Sequence, residues 1–165
     1  LLKIARLESG TVQFSDESIL IEELVTDILE PLEILMDIKD ISISCDIKTN
    51  ASFIGDRLWS TEAIGNILKN CIEHCPNGGK LEICSTENPL YTEVIISDNG
   101  TGFEEKDIPH LFDRFYRGSN SAKESTGIGL NLSRMIISKQ NGVIIATNKA
   151  SGGAQFTIRI YKGAI

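Results

Sequence analysis

Apolar positions along this chain switch between a helical and a strand period, and the switches mark out its elements. Residues 1–8 (LLKIARLE) put Leu1, Ile4 and Ala5 at helical spacing before Ser9-Gly10 stops the pattern, which predicts the tail of a helix whose body lies upstream. From Ser18 the positions Ile21, Leu24, Val25, Ile28, Leu32, Leu35 and Met36 follow i, i+3, i+4, i+7 with acids opposite, so an amphipathic helix is expected. Pro31 lies inside it and removes a backbone hydrogen bond, which predicts a kink or break there. Ile41, Ile43, Cys45 and Ile47 alternate with polar residues as in a half-buried strand. A helix from about Asp56 to His74 takes its apolar side from Leu58, Ile64, Ile67, Leu68 and Ile72, and Pro76-Asn77-Gly78-Gly79 ends it in a turn.

Leu81–Ser85 and Tyr91–Ser97 read as two strands joined at Asn88-Pro89. A glycine-bearing loop follows Asp98, then a short helix ending near Phe115 and a polar stretch, Arg117 to Thr126, with almost no apolar anchor and hence expected to be mobile. A helix from Ile128 to Lys139 turns Leu132, Met135 and Ile136 inward and stops at Asn141-Gly142. Val143–Thr147 and Gln155–Tyr161 close the chain as a hairpin around Ser151-Gly152-Gly153. Strands and helices are interleaved with hairpins as well as crossovers. The expected class is therefore α+β, a two-layer α/β sandwich whose mixed, mostly antiparallel sheet carries its helices on one face.

Composition narrows the function. A chain of 165 residues, 41% of them hydrophobic, buries one core and not two. A net charge of −7 argues against a domain that binds nucleic acid by neutralising phosphates. The charge is uneven: residues 1–40 hold Lys3, Arg6 and Lys39 against ten acids, which leaves residues 41–165 neutral. No apolar run reaches the roughly 18 residues of a membrane span, and no leader pattern is present. Because the chain begins with Leu1, it is expected to be cut from a longer protein with room for a membrane segment upstream. Cys45, Cys71, Cys75 and Cys84 are too sparse for a disulfide scaffold and read as reduced thiols of a cytoplasmic domain. With no C-x2-C pair among them, zinc is disfavoured.

Three constellations carry candidate chemistry. Glu62, Asn66 and Asn70 recur every four residues, a carboxylate and two amides that either face water or supply oxygens to a hard cation such as Mg²⁺. Asp98-Asn99-Gly100-Thr101-Gly102 directly follows a strand, and its glycines suit either an ordinary turn or close backbone approach to a ligand. Thr126-Gly127-Ile128-Gly129-Leu130 opens a helix whose free N–H groups suit phosphate. Between the glycine loops, Phe112-Asp113-Arg114-Phe115-Tyr116-Arg117 combines aromatic anchors with a local excess of positive charge, either a core edge with surface arginines or a lid over polyphosphate. No G-x-x-x-x-G-K-[ST] occurs, which argues against a P-loop NTPase.

In this order, the four segments resemble the N, G1, F and G2 boxes of the ATP-binding catalytic domain of sensor histidine kinases, in the Bergerat-fold superfamily shared with DNA gyrase B, Hsp90 and MutL. The resemblance spans residues from about 18 to 161 and implies a Mg-ATP site. It implies that Asp98 accepts the adenine amine, that Gly100 and Gly102 let the backbone approach the base, and that Asn66 and Asn70 hold Mg²⁺ and phosphates. It implies further that Gly127 and Gly129, with Thr126, Ile128 and Leu130 around them, cradle phosphate, and that Arg114 and Arg117 contact it as a lid at roughly 103–126 closes beside Phe112 and Phe115. His74 falls where an aromatic residue or histidine packs near the nucleotide, and Glu62 is a candidate catalytic carboxylate.

Residues 1–10 resemble the end of the dimerisation and phosphoacceptor hairpin, leaving 11–165 as the ATP-binding domain. Neither His74 nor His110 is followed by the acidic residue of a phosphoacceptor motif, so the acceptor histidine is expected on the hairpin outside this chain. The implied partners are that hairpin, a response regulator and a second copy in a full-length homodimer, with the whole protein in the bacterial cell membrane. Glu73 departs from the family pattern, standing where many members have a phosphate-reaching lysine. The other readings kept open are a nucleotide-binding regulatory module and an anti-sigma-type serine kinase on the same fold.

Overall fold

A computed structural model of the chain describes residues 1–119 and 127–163. Its centre is a hairpin of β4 (Lys80–Glu87) and β5 (Tyr91–Asp98), turned where the Asn88 side-chain oxygen accepts the N–H groups of Leu90 and Tyr91. Around it β2 (Ser42–Ile47), β6 (Gly142–Asn148) and β7 (Ala154–Tyr161) complete a sheet in the order β2-β4-β5-β7-β6. Only the β2/β4 pair is parallel. Alternation decides the layers: Leu81, Ile83, Val94, Ile96, Phe156 and Ile158 are buried on one face, while on the other Arg159 of β7 pairs across the strands with Glu93 of β5 at 2.5 Å.

The buried face is covered by α4 (Arg57–His74) and α5 (Gly129–Lys139), through Ala63, Ile64, Ile67, Leu68 and Ile72 of the former and Leu132, Ile136 and Ile137 of the latter. The two helices are joined by a buried hydroxyl, Ser133 Oγ donating to the Ala63 carbonyl at 2.7 Å. The mixed, mostly antiparallel sheet with its helices to one side is the two-layer arrangement expected from the alternating periods. Asn141, at φ 62°, ends α5 in the left-handed conformation its sequence favours.

Three local expectations are corrected and a fourth, the break at Pro31, is met. The helix expected from Ser18 starts instead at Ile21: Glu17–Leu20 form β1, which pairs antiparallel with β3 (Ser52–Gly55), a strand the sequence reading did not anticipate. Both are four residues long, too short for alternation to register, and only Ile19 of β1 is fully buried. Pro31 does break the helix that follows: α2 (Ile21–Leu29) passes through a 3₁₀ turn, Glu30–Leu32, into α3 (Glu33–Ile38). Leu58 is 82% exposed, because it lies one residue into α4 on the side away from the sheet. No α-helix ends near Phe115; a 3₁₀ turn, Ile108–His110, is followed by irregular turns.

The N-terminal helix α1 (Leu2–Glu8) buries Ile4 and Leu7 completely and packs against α5. The segment after it is pinned at Asp56, the N-cap of α4. One Asp56 oxygen accepts the Trp59 N–H at 3.0 Å; the other accepts the Ser15 N–H and hydroxyl at 2.9 and 3.0 Å. The Asp56 N–H donates to Gln140 Oε1 at 2.7 Å, which ties the start of α4 to the end of α5. Burial alone would raise the Asp56 pKa, but the N–H groups of Trp59 and Ser15 outweigh it and the net shift is downward.

Candidate functional site

A cleft of about 430 Å³ opens between α4, the loop after β5, the 3₁₀ turn and the start of α5. Its floor holds Asp98, the last residue of β5, which is 4% exposed. One carboxylate oxygen, Oδ1, accepts the N–H groups of Gly100 at 2.9 Å and Ala154 at 3.2 Å. Among the described residues Oδ2 has no hydrogen bond, so a fixed carboxylate keeps one acceptor for a ligand. The backbone crowds this corner. A Cβ on Gly153, at φ 99°, would lie 1.9 Å from the Asp98 carbonyl oxygen, so only glycine fits.

α4 forms one wall. Asn66, Asn70 and His74 line it, and so do Lys69 and Cys71, which the sequence reading did not place in the site, and Glu73, which it set where many family members have a phosphate-reaching lysine. Cys71 is buried against Asp98; burial first, and the neighbouring carboxylate second, push its thiol pKa up, so it is a packing group and not a nucleophile. Asn66 Nδ2 donates to the Gly129 carbonyl at 3.4 Å, where α5 begins. Among the described residues no side chain caps the α5 N-terminus, and Gly127, Gly129 and Leu130 lie on the cleft. The positive end of the helix dipole therefore meets the cleft that Asp98 also lines.

The far wall is the F-box segment, held by contacts that no local pattern announces. Asp107, buried in the 3₁₀ region, accepts the Tyr116 hydroxyl at 2.5 Å and the Ser119 N–H at 3.0 Å. Those bonds, Tyr116 first, lower the Asp107 pKa and raise that of Tyr116. Phe115, in the left-handed region at φ 65°, donates its N–H to the Gly127 carbonyl at 3.0 Å and so joins the F box to the G2 box. Phe112 packs edge-on to Phe156 at 6.3 Å.

Comparison with known proteins decides the family. Residues 55–163 match the family model described as "Histidine kinase-, DNA gyrase B-, and HSP90-like ATPase". The chain belongs to this family. The sensor-like histidine kinase SenX3 of Mycobacterium tuberculosis is 23% identical over 163 residues, which is 97% of this chain and 40% of that protein. Among solved structures, the Acinetobacter baumannii histidine kinase AdeS matches at TM-score 0.83 and 23% identity over 99% of this chain and 75% of that one. Full-length ShkA in complex with AMPPNP matches at TM-score 0.83 and 17% identity over 99% of this chain and 35% of that one. The chain spans about two fifths of the curated relatives it matches first.

Within this ATPase-family domain, the structure brings Asn66, Asn70, His74, Asp98, Gly102, Arg117, Gly127, Gly129 and Leu130 to one cleft. Gly100 sits at its edge, bonded to Asp98, and Ile128 is the half-buried residue before α5. Thr126, and the part of the expected lid from 120 to 126, lie outside the described residues. Four expected site residues do not line the cleft: Phe112 borders a separate groove beside α5, Phe115 is exposed, and Glu62 and Arg114 are tied to α1. Glu62 is one turn before Asn66, beyond the point where α5 crosses α4, and its carboxylate pairs with Lys3 of α1 at 3.0 Å. Arg114 pairs with Glu8 of α1 and borders a separate groove beside α5, because the left-handed Phe115 turns the chain between Arg114 and Arg117. Among the described residues no group of three or more His, Cys, Asp or Glu is arranged to hold a metal ion, and no helix is long and apolar enough to cross a membrane.

Proposed function

We propose that this domain binds Mg-ATP in the cleft between α4 and α5 and presents its γ-phosphoryl to a histidine of a dimerisation and phosphoacceptor hairpin, as the catalytic part of a sensor histidine kinase. The observation that carries the reading is Asp98, a buried carboxylate fixed by two backbone N–H groups with one oxygen left toward the cleft. That oxygen is matched to the exocyclic amine of adenine, and the start of α5 is matched to the phosphates at the other end.

The donor set also fits Mg²⁺. Because Asn66 Nδ2 is engaged by a carbonyl, its amide oxygen is the atom left for a hard cation, and Asn70 lies one turn on along the same wall. Held by these amide oxygens, Mg²⁺ would supply positive charge to offset that of the phosphates. The domain's own residues supply position and charge: Asp98 orients the base, the α5 N–H groups take phosphate oxygens, and Arg117 adds a cation. As the P–O bond to the departing ADP breaks, a P–N bond forms to the histidine ring, with no covalent intermediate on this chain.

In this reading residues 1–10 end the hairpin helix and 11–165 form the catalytic domain. The whole protein is a homodimer in the bacterial cell membrane with this domain on the cytoplasmic side, and the phosphoryl passes on to an aspartate of a response regulator. Titration calorimetry with ATP in the presence of Mg²⁺ tests the core of it. Saturable heat that adenosine competes away is expected; no heat up to millimolar ATP rejects the reading.

A further inference from the structure

Resting on that site, we infer that Lys69 is a phosphate-contacting residue and that Glu73 is the counter-charge a nucleotide displaces from it. Among the described residues, the lysines, arginines and carboxylates lining the cleft are Lys69 and Arg117 against Glu73, Asp98, Glu104 and Asp107. The cleft is thus acidic toward a polyanion, and each cation in it carries weight. Lys69 is the one lysine or arginine that α4 presents there. It sits between Asn66 and Asn70, roughly 4.5 Å along the axis from the residue that touches the start of α5.

The pairing of Lys69 is poorly explained as a device of the helix. Its Nζ lies 4.0 Å from Glu73 Oε1, at the limit of an ion pair, with the two side chains 59% and 39% exposed. Lysine preceding glutamate at i, i+4 is the weaker order, and an anion in the last turn opposes the helix dipole. Nor does the end of α4 need Lys69 as a cap: Lys39 Nζ already donates to the Ile72 and Glu73 carbonyls at 2.7 and 2.9 Å. What remains is an exposed ammonium on the wall of the cleft, paired at the limit of contact with a carboxylate that also lines it. A phosphate is a stronger partner than an exposed carboxylate at 4.0 Å and takes the lysine from it.

The test measures ATP and adenosine affinities by calorimetry for the wild-type domain, Lys69→Gln, Glu73→Gln and the double variant. Lys69→Gln is expected to weaken ATP about tenfold and leave adenosine within about twofold. Glu73→Gln is expected to tighten ATP about two- to threefold, a gain that vanishes in the double variant. An unchanged ATP affinity in Lys69→Gln, an equal loss of ATP and adenosine, or weaker ATP binding by Glu73→Gln overturns the inference. A wild-type domain that binds no ATP overturns the proposed function instead, so the two failures are distinct.

Discussion

Replacing Asp98 by asparagine separates what this residue does for the fold from what it does for a ligand. Oδ1 accepts two backbone N–H groups, from Gly100 and Ala154, and an asparagine must keep its oxygen there, since turning the amide would set a donor against two donors. The fold is therefore retained, and the amide nitrogen takes the place of Oδ2 on the cleft. It then faces the adenine amine donor to donor. The charged hydrogen bond lost is worth about 1.5–3 kcal/mol at this buried position, which predicts ATP binding weakened about 10- to 100-fold. The same amide is matched to a 6-oxo purine, so inosine triphosphate should gain on ATP in the variant. Calorimetry with both nucleotides and a thermal melt measure all three effects. Asp98→Ala, by contrast, orphans both N–H groups at about 1–3 kcal/mol each and should lower the melting temperature clearly. If Asp98→Asn binds ATP as the wild type does, the base is not held by this carboxylate.

Three further predictions follow from other contacts. Gly127→Ala puts a Cβ 2.5 Å from the Tyr116 carbonyl at φ 70° and should destabilise by at least about 1–2 kcal/mol while weakening ATP, read by melting and titration together. Lys39→Met removes both bonds to the end of α4 and should cost about 1–2 kcal/mol in urea unfolding, with little effect on adenosine binding. The lowered pKa of Asp56 gives the acid limb a direction. Its contribution is complete above the unfolded carboxylate pKa of about 3.9 and disappears as pH falls through the lower folded value. Asp56→Asn, which can satisfy only one of the two acceptor positions, should be less stable at neutral pH and show a shallower loss toward pH 2; an identical acid limb in wild type and variant counts against this role.

Long periodic segments were legible because burial enforces their period. α4, α5 and the strands on the sheet's inner face each repeat an apolar position often enough to outvote propensity. The β1/β3 pair was not legible, since four residues hold two inward positions and β1 runs directly into the apolar pattern of the helix that starts at Ile21. Some cleft residues could be named in advance because glycines at φ 80° and 70° (Gly102 and Gly127) and a buried acid at a strand end are tied to local backbone needs. Asp107 left no such mark. Its role depends on Tyr116 and Ser119, nine and twelve residues away, folding back onto it.

Glu62 shows most clearly what spacing alone leaves out. Residues 62, 66 and 70 differ by roughly 40° per step around α4, so all three do share a side, as the i, i+4 pattern says. Side is only one coordinate; position along the axis is the other, and it is fixed by another helix. α5 crosses α4 between Ala63 and Asn66, where Ser133 bonds the Ala63 carbonyl and Asn66 bonds the Gly129 carbonyl. Everything C-terminal to that crossing on this side of α4 looks into the cleft, and Glu62, one residue before it, looks toward α1 and Lys3. The same crossing explains why Lys69, unremarkable in the sequence, belongs to the site with Glu73: the cleft continues along α4 from Asn66 to His74, and residues on that side of those turns line it whatever their motif.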